Sequence, residues 1–386
     1  MNGWEQPGAR SWSRAVVLIV AAALVLAAVA RTRTDAPTRP LEITDDAVPP
    51  VVASSPPSPW TLPRPGTWRR LPPAPLASRV NYTMAWTGSE VIVWGGFDTL
   101  NRPRLNGAAF DPVRGTWRSL PSTAARDASA IAVMAGSDVV FVSSRDTRRF
   151  NPTTRRWAAG PTLPVPDGHS IGDHIVAAGR VVVAVTEPYD RDRPSAVFAL
   201  RTGAQRWQRL PDIPVTMTAG HTVLAAGSRI MIFGPPVDDQ QAAVTLDVDV
   251  VPATWRRFPP PPGLDGEHLI TLAGIAPGNR IMLWGARADA PTGYAAIWDG
   301  GRWRMTDPGP LRPSRVVSAM WTGGHMLVWD RFNNIGALLN PRTDRWTGVP
   351  QPPTAGTNLV REAVWAGSGL LVWGALGAGG AIYIPG

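Results

Sequence analysis

The sequence predicts an all-β fold: a seven-bladed β-propeller of four-stranded antiparallel blades, with one hydrophobic helix ahead of it. Three observations predict it. A tryptophan lands behind a turn seven times, at Trp68, Trp117, Trp157, Trp207, Trp255, Trp303 and Trp346. The steps between these residues are 49, 40, 50, 48, 48 and 43, a period in the range of propeller blades. A short apolar run also recurs seven times: "VIVWGG" (91–96), "VVFVSS" (139–144), "VVVAV" (181–185), "IMIFG" (230–234), "IMLWG" (281–285), "MLVWD" (326–330) and "LLVWG" (370–374).

The chain divides into three parts. Residues 1–31 contain "AVVLIVAAALVLAAVA" (15–30), wholly apolar and flanked by Arg10, Arg14, Arg31 and Arg33. This is a signal peptide or a signal-anchor transmembrane helix; sixteen residues is long for the first and short for the second. We read it as a retained anchor, with cleavage after Ala30 as the alternative. Either way the rest of the chain is expected outside the cytoplasm, membrane-anchored or secreted. The chain has no cysteine, so neither a disulfide nor a lipidated anchor is available to it. Residues 32–66 are rich in Pro, Thr and Ser and read as a disordered linker.

Residues 67–386 hold the repeats. Each unit opens with an apolar stretch such as "YTMAW" (82–86), turns through "TGSE" (87–90) and continues into the apolar run. A third stretch such as "GAAFDP" (107–112) then leads through the turn to the tryptophan strand, "TWRSLP" (116–121). The runs are short, rich in Val, Ile and Trp, and bounded by Gly, Ser and Pro, which is strand and hairpin chemistry. The last unit, ending "AIYIPG" (381–386), lacks a tryptophan strand, whereas "TWRRLP" (67–72) precedes any complete unit. The N-terminal strand is therefore expected to complete the last blade, giving about 46 residues per blade and no open sheet edge. The seven tryptophans are expected to wedge between blades, each burial stabilising by roughly 1.5–3 kcal/mol. Trp60, Trp86, Trp321 and Trp365 lie outside that pattern and are candidates for a stacking platform, with a structural role as the alternative for the last three, which sit at one repeated turn.

These segments resemble the kelch-repeat propellers, the type found in the central domain of galactose oxidase, in a bacterial exported form. The resemblance rests on Gly95–Gly96 after an apolar run, and on Phe110-Asp111-Pro112 through Trp117 with its copy Phe150-Asn151-Pro152 through Trp157. Most other glycine doublets are reduced, and Phe or Leu stands where the family prefers Tyr. The resemblance implies a scaffold that binds a ligand or protein. Its alternative is a carbohydrate-active enzyme (sugar epimerase, lyase or hydrolase) with its site at the channel mouth. The copper chemistry of galactose oxidase needs a Cys–Tyr cofactor, which a chain without cysteine cannot form.

The loops that lead from each tryptophan strand to the next inner strand are expected to rim the channel. In order they offer Arg79, Asp127, His169, His221, Glu267 with His268, Arg315 and Arg361, a basic arc facing acids and histidines. Arginine forks suit carboxylates and sulfates, so the expected partner is an anionic glycan or an envelope protein. "HSIGDH" (169–174) carries two histidines that a regular strand would turn to opposite faces, so no metal is expected there. No cofactor is expected either. The net charge is +9, all the basic residues being Arg; residues 1–66 hold 6 Arg and 5 acids, leaving +8 on the propeller. These arginines are scattered rather than clustered, which argues against nucleic acid. A monomer, anchored through its N-terminal helix, is expected.

Overall fold

The computed structural model describes residues 60–190, 193–217, 221–237, 240–264, 269–353, 362–374 and 379–386. The apolar segment 15–30 lies outside them, and among the described residues no helix is long and apolar enough to cross a membrane. The described chain is all-β, with 28 strands in seven four-stranded antiparallel sheets.

Blade 1 shows the plan. Its strands run Thr83–Trp86, Val91–Trp94, Gly107–Asp111 and Thr116–Ser119, each paired with the next. The inner strands of successive blades touch around the ring, and Thr83–Trp86 meets Glu362–Trp365 to close it. The seventh blade is built from both ends of the described chain. Thr67–Arg70 pairs antiparallel with Gly380–Ile384, Thr67 facing Ile384 and Arg70 facing Ala381. Tyr82 adds a side-chain lock at the same seam, its hydroxyl donating to Trp373 O and accepting from Glu362 N (3.3 Å).

The second strand of each blade is buried on both faces, as Val91–Trp94 is throughout. Apolar runs without alternation are the expected signature of such a strand. Where a tryptophan lies at or next to the end of the second strand, a glycine at or next to the start of the third often faces it. Trp94 faces Gly107, Trp329 faces Gly336 and Trp373 faces Gly380. A Cβ on those glycines would lie 2.7, 2.8 and 2.9 Å from the respective indole, so only hydrogen leaves room for the ring.

The core is divided into seven clusters, each lying between two successive blades and each containing one of the seven repeat tryptophans. Their indole N–H groups form a second repeat around the ring. Trp117 donates to Pro72 O (3.0 Å), and Trp303 to Pro259 O (2.8 Å). Trp157, Trp207, Trp255 and Trp68 donate to Pro121, Pro161, Pro211 and Pro350 O, each at 2.9 Å. Trp346 donates to Asp307 O at 3.2 Å. Every acceptor is the residue four positions after the tryptophan of the preceding blade. That residue lies just past the outer strand, where the ladder ends and its carbonyl needs another donor. Each tryptophan thus fills the wedge with its ring and ties it with its N–H.

The packed chain begins before Thr67. Composition groups residues 60–66 with the linker, yet Trp60 sits edge-on to Phe110 (5.6 Å between ring centres) and donates to Pro112 O at 2.9 Å. The Arg69 guanidinium covers its other side, 4.6 Å from the ring centre. Gly115 makes this possible, since a Cβ there would overlap the indole. Trp60 is a packing residue at the seam of blades 7 and 1, and its ring is not left open for a ligand.

Candidate functional site

Strand register decides which loops share a face. Thr83, Trp94 and Gly107 stand abreast across blade 1, and Leu120 N donates to Gly107 O (2.9 Å). The loop leading into the inner strand and the loop joining the second and third strands therefore lie at the same end of the sheet. In blade 1 these are the long segments 71–82 and 95–106. At the other end lie tight turns such as 87–90 and 112–115. The first end, the long-loop face, carries all the segments that lead into inner strands, such as 71–82 and 306–316, whereas the opposite face carries turns, the longest of them 248–255.

The described residues of the expected arc all belong to the long-loop face, on the segments leading into inner strands or, for His169, at the first residue of one. Their environments differ sharply. Arg79 is 2 % exposed. Its Nε donates to Ala77 O (3.1 Å), Nη1 to Gly95 O (3.1 Å) and Asn106 O (3.0 Å), and Nη2 to Asn106 Oδ1 (3.1 Å). Burial, then the charge of Arg104, brings its pKa down to about 10, so it stays charged at neutral pH. Its fork is spent on carbonyls, clamping one long loop to the other. Asp127 is half-buried and caps its own turn, accepting from Ser129 N (2.9 Å) and Ser144 Oγ (3.4 Å).

His169 and His221 are both buried. His169 Nδ1 lies 3.0 Å from Thr186 Oγ1, whose single proton goes to Ala196 O at 3.3 Å. With that proton so placed, a neutral imidazole would donate from Nδ1 and keep its lone pair on Nε2. Burial, and then Arg193, depresses its pKa, which favours this neutral form. The His221 ring occupies the space a side chain at Gly234 would need. Arg315 is exposed. Glu267, His268 and Arg361 lie outside the described residues.

His174 Nε2 approaches Glu187 Oε1 at 3.5 Å. His169 and His174 thus meet successive residues of the neighbouring strand, Thr186 and Glu187, which point to opposite faces. The register shifts between Ile171 and Ile175, a bulge that re-aims this stretch beside the mouth.

Several polar residues of this face are invisible to the repeat pattern. Asp98 is buried in the 95–106 loop and accepts from Leu100 N and Arg102 N (both 2.9 Å), Arg102 Nε (2.8 Å) and Arg104 Nη2 (2.7 Å). The Arg102 backbone N–H above all holds its carboxyl down at about 2. Asp146 is buried beside Arg148 Nε (2.9 Å) and accepts from Arg126 N (3.0 Å), linking two loops of blade 2. Arg331 Nη1 meets Glu362 Oε1 at 2.8 Å across blades 6 and 7. The length of the loop between second and third strands is the sequence signal that could have pointed to Asp98.

No family model matches the chain, and no curated protein does. Among solved structures, the chain is similar to one titled "Structure of YjhT", at 14% identity and a TM-score of 0.46, over 72% of this chain and 99% of that one.

Proposed function

We propose that this is a bacterial exported kelch-like propeller that acts outside the cytoplasm as a membrane-tethered binding scaffold, taking an envelope protein or an anionic glycan on its long-loop face. The observation that carries the reading is the asymmetry of the two faces. A closed ring of repeated blades holds dissimilar long loops at one end, the usual arrangement of a rigid scaffold that carries recognition in its loops. That face presents arginine, with Arg102 and Arg315 exposed there. The kelch reading draws on Gly95 and Gly96, which take φ of 78° and 84° and let the backbone turn against Ala128 O and Val80 O of the long-loop face. The tether draws on the apolar segment 15–30.

The test uses the full chain on an array of acidic and neutral glycans. Acidic glycans should bind, and an Arg102→Ser/Arg315→Ser variant should weaken them by about tenfold or more, at a stability cost of no more than about 1 kcal/mol for the lost Arg102–Asp98 pair. Equal binding by the variant overturns the glycan reading. Expressed with its own N-terminus, the protein should fractionate with membranes; a mature chain beginning at Arg31 would replace the anchor with a cleaved signal peptide.

A second reading, a carbohydrate-active enzyme, is favoured by the His174–Glu187 contact on the bulged strand, a base and a carboxylate beside the mouth. Turnover of an acidic sugar that disappears in Glu187→Gln, with binding retained, would establish it over the scaffold.

A further inference from the structure

The short-turn face carries a groove of about 430 Å³ at the seam of blades 7 and 1. Such a volume falls within the range of about 300–1,000 Å³ typical of small-molecule sites. Trp86, Leu62 and Val113 contribute apolar walls, and Ser89, Ser368 and the Asp111–Arg114 pair stand among them. We propose that this groove is a second, separate binding site, for a neutral pyranose oligosaccharide stacked on Trp86.

The contrast between two equivalent tryptophans supports it. Trp86 and Trp365 both end inner strands and precede the same kind of Gly-Ser turn. Trp365 closes on its own turn, its N–H donating to Gly367 O at 2.8 Å. Trp86 instead leans across to the neighbouring blade. A Cβ on Gly367, which has a φ of +74°, would lie 3.2 Å from Trp86 Cζ2, so the ring rests against a bare turn. Trp86 Nε1 has no hydrogen-bond acceptor among the described residues.

The polar groups match a sugar. Among the described residues the Ser368 hydroxyl makes no bond, and that of Ser89 has only Thr87 Oγ1 at 3.5 Å. Asp111 Oδ2 and Arg114 Nη1 pair at 2.7 Å on an exposed turn, offering an acceptor beside a donor with no net charge. A pyranose has an apolar face of C–H groups for the electron-rich indole, and a rim of hydroxyls that both donate and accept. A carboxylated or sulfated ligand would find Asp111 against it. A proline-rich peptide would use the apolar wall but leave the serines and the Asp111–Arg114 pair unmatched.

The test titrates the full chain with cellotriose, chitotriose and maltotriose, and with a decaproline peptide, by calorimetry and saturation-transfer NMR. At least one trisaccharide should bind, with transfer strongest to ring C–H protons. Trp86→Ala should abolish binding. Because Trp86 also packs in the seam, a Ser89→Ala/Ser368→Ala variant is the second arm; it should keep the parent's thermal transition and weaken binding by about tenfold. The proposal fails if no trisaccharide binds, if the double serine variant binds as the parent does, or if decaproline binds and the sugars do not.

Discussion

Blade 1 and blade 4 are the most and least faithful copies of the repeat, and both close the ring with the same bond. Blade 1 has the glycine doublet, the Asp-Pro turn and a four-residue outer strand, Thr116–Ser119. Blade 4, with strands Thr222–Ala226, Arg229–Val237, Gln240–Asp247 and Arg256–Arg257, has none of these; its outer strand is that last exposed pair. Yet Trp117 and Trp255 donate to Pro72 and Pro211 at 3.0 and 2.9 Å. What the ring requires from each unit is a buried second strand, a wedge residue with a donor, and a free carbonyl four residues further on. The turn that delivers the tryptophan can drift, because solvent meets it in either blade.

The largest effect should come from removing the two wedges. Trp117 lies 5.0 Å from Phe110 and 6.3 Å from Trp373 between ring centres, whereas Trp255 packs among aliphatic side chains. Trp117→Ala should cost about 3–5 kcal/mol, and Trp255→Ala less, since Trp117 also loses its aromatic contacts. Denaturant unfolding of the full chain measures both. Equal losses would mean that the aromatic cluster of blade 1 adds nothing to its wedge.

Glycine substitutions sharpen the contrast at the next level. A Cβ on Gly96 would meet Val80 O at 2.5 Å, while Gly227, in the first hairpin of blade 4, has open space around it. Both take positive φ, 84° and 59°. Gly96→Ala should therefore cost about 2–4 kcal/mol, strain plus a backbone collision, against about 1 kcal/mol for Gly227→Ala from strain alone. Matching transitions for the two variants would show that the doublet is not held by its neighbours.

Replacing each wedge by phenylalanine isolates the bond from the ring. Trp117→Phe and Trp255→Phe each remove one N–H and should cost a similar increment of about 0.5–1.5 kcal/mol beyond the lost area. A clearly larger bond increment in one blade would end the equivalence of the two latches.

The smallest effect is a pH dependence in blade 1. Asp98 has a carboxyl held at about 2, below its ordinary 3.8, so its contribution is complete above about pH 4 and is lost as pH falls through about 2. The stability difference between the parent and Asp98→Asn should be constant from pH 7 to about 4 and shrink below that. A difference that does not change with pH would mean the charge on Asp98 is irrelevant to the loop.

The local sequence determined much of this fold. Seven apolar runs, seven tryptophans and an unpaired strand at each end of the repeats dictate seven blades and the closure of Thr67–Arg70 onto Gly380–Ile384. These features are legible because strand alternation, hairpin turns and a fixed period are properties of a few neighbouring residues. Only the tertiary structure decided what the polar groups do. Arg79 reads as a ligand-facing arginine and is instead a buried clamp, because its acceptors, Gly95 O and Asn106 O, come from a loop the pattern does not place beside it. Trp60 reads as part of a linker and packs under Arg69 against Phe110, a contact 50 residues away. The tryptophan acceptors lie one blade back, so the four-residue spacing gains meaning only once the ring brings each carbonyl to the next indole. Burial and hydrogen bonding depend on which surfaces meet, and in a closed ring those surfaces belong to different repeats.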